Sequence, residues 1–331
     1  MRGFFGVLRP VVDGNTQRMH TGLNSTEWNL QSEQSCTKCQ VPFQSEGTPN
    51  TVFMILPSLR LSAALWIAAC SVAPAFAEGL ADRVAIQTWT LRRLSFDQVV
   101  SFAKAHGIKD LQLIPNHLDY KKESIAELTR KKAVLEAAGL NAYTYGVAGT
   151  SLDEQDNRKL FEFAKFMGMK LIVVEPGDFK IWDNLEVLAK EFDIRVAVHN
   201  HGIKSTYGNP NTVKNILQHR DPHLGVCMDI GWITSANFDA AKVFKEYNGR
   251  VFDLHLKDKR IEKVQSGDDV SFDTEIGAGA ANLKGLFKVL RETGYQGRLA
   301  IETDSDDFAR KPDAFVDGAK KFVADQDAAS R

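Results

Sequence analysis

The chain has 331 residues, of which 44% are hydrophobic, and its 41 basic and 42 acidic side chains leave a formal net charge of −1. This balance excludes the electrostatic signature of a nucleic-acid-binding protein and gives no attraction to an anionic surface. The length is sufficient for one large domain with a substantial hydrophobic core.

The first element in chain order is a predicted signal peptide over residues 54–77. Arg60 precedes an apolar run over residues 61–69, and residues 75–77 (Ala-Phe-Ala) offer the small side chains that a signal peptidase requires. The apolar run is too short for a membrane span of about 20 residues. No other segment resembles a membrane span, so we predict that the protein does not span a membrane.

An alternative interpretation places a lipoprotein cleavage box at residues 67–70, which would leave Cys70 lipidated. The Ala-Phe-Ala sequence lies at the better distance from the apolar run. We therefore predict cleavage before Glu78 and a periplasmic or secreted protein.

Residues 1–53 precede this signal and are polar without any periodicity. Because a signal peptide must lie near the N-terminus, we interpret them as a disordered extension that results from a mis-called start. Cys36 and Cys39 form an isolated Cys-x-x-Cys, for which neither metal binding nor redox activity is predicted. The predicted mature chain, residues 78–331, retains only Cys227 and cannot form an internal disulfide.

The mature chain alternates short apolar runs with amphipathic stretches. The predicted strands are Val84–Thr88, Asp110–Ile114, Asn141–Tyr145, Leu171–Val174, Arg195–Val198, Gly225–Met228, Val251–Leu254 and Arg298–Ile301. The predicted helices are Phe96–His106, Ser124–Ala138, Asn157–Met167, Asn184–Phe192, Asn211–His219, Ala240–Tyr247, Leu283–Thr293 and Pro312–Ala324. Ser95 and Asp153 stand at predicted N-cap positions.

Eight strand–helix units over about 250 residues predict a single-domain (β/α)₈ TIM barrel. The alternative is a doubly wound open sheet, which usually carries a glycine fingerprint after its first strand. Residues 86–90 contain no glycine, so we favour the barrel.

The longest irregular segment of the prediction, Lys259–Ala280, follows the seventh strand and is rich in Asp and Gly. It could be a solvated surface loop. Because loops of this length in a compact domain are usually functional, we predict a lid or a specificity loop.

Polar side chains follow three successive strands: Asp229, His255 and Glu302. In a barrel, the carboxyl ends of the strands form the active-site face. Each residue alone could be structural, as a helix cap, a core histidine or an ion-pair partner. Together they predict a site for one divalent metal ion, and their nitrogen and oxygen donors suit Mn²⁺, Co²⁺, Zn²⁺ or Fe²⁺ better than Ca²⁺. A fourth ligand could be Glu175 or His199, which follow earlier strands.

The chain also resembles the xylose-isomerase-like barrel superfamily, whose members include sugar isomerases and epimerases, inosose dehydratase and type IV apurinic endonucleases. The resemblance covers the mature chain and rests on His199–Gly202, Asp229–Gly231, His255–Asp258, Ile276–Gly279 and Ile301–Glu302. It implies that Asp229, His255 and Glu302 bind the metal.

Two positions depart from this pattern. Many relatives have a glutamate where this chain has His199, and a histidine where it has Trp232. The segments Lys159–Lys165, Val196–His201 and Tyr207–Pro210 are similar to an exported branch that includes enzymes which hydrate or eliminate 3-keto-glycosides.

A divalent metal beside carboxylates and imidazoles suits removal of a proton next to a carbonyl. We therefore predict a metal-dependent sugar isomerase or epimerase. The alternatives are a 3-keto-glycoside hydratase or lyase that acts by β-elimination, and a non-catalytic exported barrel that binds a sugar or a metal. The expected partner is a small sugar or keto-glycoside, and homo-oligomerisation stays open.

The residues with predicted roles in this chemistry fall into two groups. The candidate catalytic residues are Glu302 and Glu175 as bases, His201 as a second acid or base, and Lys257 for oxyanion stabilisation. The candidate substrate-binding residues are Trp89, Tyr145, Asn200 and Trp232.

Overall fold

The computed structural model describes residues 79–264 and 269–329, which belong to one compact unit. The predicted upstream extension and signal peptide lie outside the described residues. The strands are β1 (Val84–Gln87), β2 (Asp110–Leu113), β3 (Asn141–Ala148), β4 (Leu171–Val174), β5 (Arg195–His199), β6 (Leu224–Asp229), β7 (Val251–Leu256), β8 (Asp258–Lys263), β9 (Asp269–Thr274) and β10 (Arg298–Ile301).

The α-helices lie between the strands and after the last one. They are α1 (Phe96–Ala105), α2 (Ile125–Ala137), α3 (Glu154–Met167), α4 (Ile181–Phe192), α5 (Pro210–Leu217), α6 (Ile230–Ser235), α7 (Ala240–Glu246), α8 (Leu283–Glu292), α9 (Asp306–Arg310) and α10 (Pro312–Ala328). Short 3₁₀ helices cover Ala81–Arg83 and Thr88–Leu91.

Eight parallel strands close into a barrel in the order β1-β10-β7-β6-β5-β4-β3-β2. This order confirms the predicted single-domain (β/α)₈ TIM barrel and excludes the doubly wound sheet, which would be open. The strands that carry Asp229, His255 and Glu302 at or next to their ends are neighbours in the barrel. No helix among the described residues is long and apolar enough to cross a membrane.

Local signals set the helix boundaries. Ser95 Oγ accepts a hydrogen bond from Gln98 N–H, and the Gln98 side chain accepts one from Ser95 N–H, so a reciprocal capping box begins α1. Asp153 caps α3 through Gln155 N–H. Both predicted N-caps are confirmed. Gly168 ends α3 with φ +82°, a left-handed conformation that favours glycine.

The segment Lys259–Ala280, predicted to be irregular, is largely an antiparallel hairpin of β8 and β9. The prediction failed because these strands are rich in charged residues, are mostly exposed and bury no continuous apolar run. The turn after the hairpin folds around the Asp258 carboxylate, which accepts hydrogen bonds from the backbone N–H groups of Lys259, Gly277, Gly279 and Ala281. The hairpin is thereby held beside the barrel end. Its role as a lid stays a prediction.

Candidate active site

Four polar side chains lie at the carboxyl ends of neighbouring barrel strands. His199 ends β5, Asp229 ends β6, and His255 is the penultimate residue of β7. Glu302 follows β10, and its backbone N–H donates to Leu256 O over 3.3 Å. Asp229 and His255 are register partners in the β6–β7 pair. The strand register therefore brings residues that are far apart in the sequence to one end of the barrel.

The polar atoms of His199, Asp229 and His255 are close enough to bind one cation together, and Glu302 lies beside His255. His199 Nε2 lies 3.1 Å from His255 Nδ1 and 3.6 Å from Asp229 Oδ2. His255 Nδ1 lies 3.7 Å from Asp229 Oδ2 and 3.9 Å from Glu302 Oε2. All four residues are buried.

The Gln112 side chain orients His255. Gln112 Nε2 donates to Gly146 O over 3.2 Å, and Gln112 Oε1 lies 2.9 Å from His255 Nε2. Because a carboxamide oxygen only accepts, Nε2 carries the imidazole proton, and Nδ1 keeps a lone pair on the side of the ring that faces His199. Burial lowers the pKa of His255 to about 4, so the ring is neutral near pH 7, as a metal ligand must be.

Asp229 is held by its backbone and by one carboxylate oxygen. Its N–H donates to Asn200 Oδ1 over 3.0 Å, and Asn200 Nδ2 donates to Asp229 O over 3.3 Å. Asp229 Oδ1 accepts a hydrogen bond from Trp232 N–H over 2.9 Å, so Asp229 is the N-cap of α6. Oδ2, the other oxygen, faces His199 and His255.

The electrostatics of the two carboxylates differ. Burial opposes ionisation of Asp229, but Lys257, His199 and His255 outweigh it and hold the pKa well below its usual range. For Glu302, burial raises the pKa well above its usual range against the opposing effect of Lys257, so the ionised form of this side chain depends on cations at the site. Burial also lowers the pKa of His199, which favours its neutral form.

The donor set fits a divalent metal ion. Asp229 Oδ2 and Glu302 Oε2 are buried, yet neither accepts a regular hydrogen bond from any residue that the structure describes. Donor atoms of His199, Asp229 and His255 all lie within 4.8 Å of one another. A buried carboxylate oxygen is costly unless a cation balances it, and Lys257 is a cation that these two oxygens share. Two neutral imidazoles and two carboxylates are ligands that Mn²⁺, Co²⁺, Zn²⁺ and Fe²⁺ accept.

Lys257 lies beside the proposed ligands. Its Nζ is 3.1 Å from Asp229 Oδ2, forms an ion pair with Glu302, and donates to Asp304 Oδ2 over 2.7 Å. The side chain is only 2% exposed. Burial favours the neutral amine, but the three carboxylates outweigh it and raise the pKa of Lys257 well above its usual range. The three carboxylates therefore favour the charged form of this side chain.

Glu175 and His201 form a pair at the rim of the site. His201 Nδ1 lies 2.5 Å from Glu175 Oε2, and the His201 side chain is 43% exposed. The hydrogen bond to Glu175 raises the pKa of His201. The His201 and His199 ring centroids are 4.5 Å apart, so the Glu175–His201 pair lies next to the four buried side chains at the strand ends. The structure thus brings His199, rather than Glu175, next to Asp229 and His255.

The predicted substrate-binding residues have different locations. Trp89 is partly exposed in the 3₁₀ turn after β1, and the Trp232 ring centroid lies 6.0 Å from that of His201. Tyr145 is buried and packs on Phe163 of α3, so it belongs to the core between strand and helix. Asn200 is also buried, and its amide is occupied by the Asp229 backbone. A substrate-binding role for Tyr145 and Asn200 stays a prediction that these contacts do not support.

Several residues near the site were missed by the sequence analysis. Gln112 interrupts the apolar run of β2, and this buried polar residue could have been noticed. Lys259, Asp273 and Asp304 lie in or after segments without periodicity, where only the tertiary fold brings them together. Lys259 Nζ lies 3.9 Å from the centroid of the Trp232 ring and 2.5 Å from Asp273 Oδ1.

Comparison with known proteins identifies the family to which this chain belongs. Residues 100–325 match the family described as xylose isomerase-like TIM barrel. The chain is also similar to two inosose dehydratases of Clostridium perfringens strains. With one it is 28% identical over 44% of this chain and 52% of the relative. With the other it is 23% identical over 70% of this chain and 90% of the relative. The first match spans only about half of that relative's length.

Solved structures share the fold. An uncharacterized protein of Parabacteroides distasonis is 25% identical, with a TM-score of 0.57 over 73% of this chain and 97% of that one. The IOLI protein with a bound zinc atom is 14% identical, with a TM-score of 0.61, and the match covers 75% of this chain and 98% of that one. A Mycobacterium smegmatis protein in complex with magnesium is 11% identical, with a TM-score of 0.56, and the match covers 73% of this chain and 97% of that one.

Proposed function

Because the chain belongs to the xylose isomerase-like TIM barrel family, we propose that it is a divalent-metal-dependent enzyme acting on a keto sugar or a related cyclic polyol ketone. In this proposal, the enzyme removes a proton from the carbon next to the carbonyl and then expels a leaving group from the β-position. The observation that carries the proposal is the buried set of two imidazoles and two carboxylates, whose donor atoms converge at the carboxyl end of the barrel.

His199, Asp229, His255 and Glu302 would hold the metal ion. Glu175, the other candidate for the fourth ligand, bonds His201 instead. When bound, a divalent ion supplies Lewis-acid polarisation of a substrate carbonyl. Zinc in one structural neighbour and magnesium in another support a divalent ion and leave its identity open.

The proton transfer is assigned to His201. Its Nδ1 is engaged by Glu175, so the second ring nitrogen, Nε2, is the one available to a substrate. The Glu175 carboxylate orients the ring and favours the protonated form after the ring accepts a proton. The partly exposed position lets His201 reach a substrate that enters the barrel mouth.

Lys257 and Trp232 would complete the substrate environment. The Lys257 ammonium is buried and charged, and so can stabilise negative charge that develops on a substrate oxygen. Trp232 presents an indole ring next to His201. This ring can pack on the apolar face of a sugar, as Trp89 at the rim can.

Elimination is favoured over isomerisation and epimerisation, which were the first expectation from the sequence. The similar proteins from Clostridium perfringens are named as dehydratases, and one match covers 90% of the relative. Epimerisation commonly needs an acid or base on each face of the substrate. The position where many relatives have a second histidine holds Trp232, which cannot transfer a proton.

The experiment that tests this proposal is incubation of the metal-loaded protein in D₂O with inososes, ketoses and 3-keto-glucosides, followed by NMR. Elimination predicts loss of the leaving group and a new carbon–carbon double bond. Deuterium incorporation without elimination would support isomerisation or epimerisation. A protein that binds the substrates without exchange would support the non-catalytic barrel.

The place of action is a separate proposal. The composition of residues 54–77 supports export to the periplasm or beyond. A keto-glycoside taken from outside the cell would be consistent with this location.

A further inference from the structure

Lys257 competes for the oxygens that are proposed to bind the metal. Its ammonium lies 3.1 Å from Asp229 Oδ2 and forms an ion pair with Glu302 Oε2. These two oxygens are also the ones without regular hydrogen bonds. Two cations that share the same carboxylates repel each other strongly in a buried, weakly screened site. Metal binding therefore requires another anionic partner for Lys257.

Asp304 is suited to be that partner. Lys257 Nζ donates to Asp304 Oδ2 over 2.7 Å, and the Asp304 side chain is 39% exposed. Partial exposure keeps this carboxylate hydrated and ionised at a small cost, unlike the fully buried Asp229. Among the described residues, it is the third carboxylate within ion-pair distance of Lys257 and the one outside the proposed ligand set.

The hairpin of β8 and β9 fixes Asp304 in place. Asp273 of β9 accepts hydrogen bonds through Oδ2 from Asp304 N–H over 2.6 Å and from Thr303 Oγ1 over 2.7 Å. Asp273 Oδ1 accepts from Lys259 Nζ over 2.5 Å, and both of these side chains are only 3% exposed. The Asp273 carboxylate thus ties the hairpin to the segment that follows Glu302.

We propose that Asp304 is a positioning residue that holds the Lys257 ammonium when the metal takes Asp229 and Glu302, and that Asp273 keeps Asp304 in register for this role. The β8–β9 hairpin then contributes to metal binding through Asp273, in addition to any role as a lid. The inference rests on the proposed metal site, but it concerns affinity for the metal and does not depend on the reaction.

The test is a double-mutant cycle on the mature chain, with Kd for Mn²⁺ or Zn²⁺ measured by competition with a chelator. Asp304→Asn should weaken metal binding by about tenfold, the lower end of losses from outer-shell changes. Lys257→Met alone should not weaken it. In the Lys257→Met background, Asp304→Asn should have no further effect. Asp273→Asn should weaken binding in the same Lys257-dependent way.

Asp307→Asn is the matched control, because it removes the same charge from an exposed residue near Asp304 and should leave Kd unchanged. Equal weakening by Asp304→Asn with and without Lys257 would mean that Asp304 acts through its charge alone, and would overturn the inference. Unchanged affinity in Asp304→Asn would overturn it too. A wild-type chain that binds no divalent ion would instead refute the proposed metal site, and this inference with it.

Discussion

Glu175 and His201 form a hydrogen-bonded pair, with 2.5 Å between Glu175 Oε2 and His201 Nδ1. The sequence offered Glu175 as a metal ligand or base and His201 as a separate acid or base. In the proposed mechanism, this pairing makes the two residues one proton-transferring unit beside the proposed metal ligands. It also leaves His199 as the residue from β5 that faces Asp229.

The first prediction concerns this pair. His201→Asn should reduce substrate deuterium exchange by roughly 10²–10⁴, the usual cost of losing a general acid or base. Metal content should be unchanged, since His201 is not a proposed ligand. His219→Asn, a change at an exposed histidine, is the control. Full activity in His201→Asn would assign the proton transfer elsewhere, with Glu302 the next candidate.

The second prediction concerns metal content. The purified mature chain should carry about one divalent transition metal ion, measured by elemental analysis. His255→Ala removes a neutral nitrogen ligand and should lower the occupancy, and Asp229→Ala should lower it further because a buried anion is lost. His219→Ala should keep the wild-type content. Full occupancy in both His255→Ala and Asp229→Ala would refute the site.

The third prediction concerns the turn around Asp258. A Cβ at Gly279 would lie 2.2 Å from Asp258 Oδ1 and 2.7 Å from Lys259 O, so the turn cannot keep its hydrogen bonds to the carboxylate. Gly279→Ala should lower the free energy of unfolding by about 1–3 kcal/mol, measured by urea denaturation.

The control for this prediction is Gly318→Ala in the exposed part of α10, where a Cβ meets nothing within 4 Å. Alanine has the higher helix propensity, so this change should stabilise the protein by about 0.5–1 kcal/mol. Similar effects of both substitutions would show that contact with Asp258 is not the cause.

The fourth prediction concerns export. Expression from Met54 in a Gram-negative host should give a mature protein whose N-terminus is Glu78, measured by mass spectrometry. The small residues at 75–77 are the reason for this cleavage position. A lipid-modified Cys70 or an uncleaved product that begins at Met54 would contradict it.

The barrel and its strand ends could be predicted because periodicity is a local property. Asp229, His255 and Glu302 follow apolar runs, and the barrel topology then brings the ends of those runs together. Tyr145 shows the limit of this approach. Its position in β3 suggested the barrel mouth, but its side chain packs against a helix.

The interactions around Lys257 could not be read from the sequence. They join β7, the segment after β10 and the hairpin, which are separated along the chain. The hairpin itself escaped prediction because its strands bury little apolar surface. Polar contacts between distant segments leave no periodic signal, so only the tertiary structure reveals them.

The measurement that tests the central claim most directly is deuterium exchange at the carbon next to the carbonyl of a keto sugar in D₂O. The metal-loaded wild type should exchange this proton or eliminate the β-substituent with at least one substrate of the panel. Chelation of the metal should stop the reaction, and His201→Asn should slow it by roughly 10²–10⁴. No exchange, isomerisation or elimination by protein loaded with Mn²⁺, Co²⁺ or Zn²⁺ would contradict the account and favour a barrel that only binds its ligand.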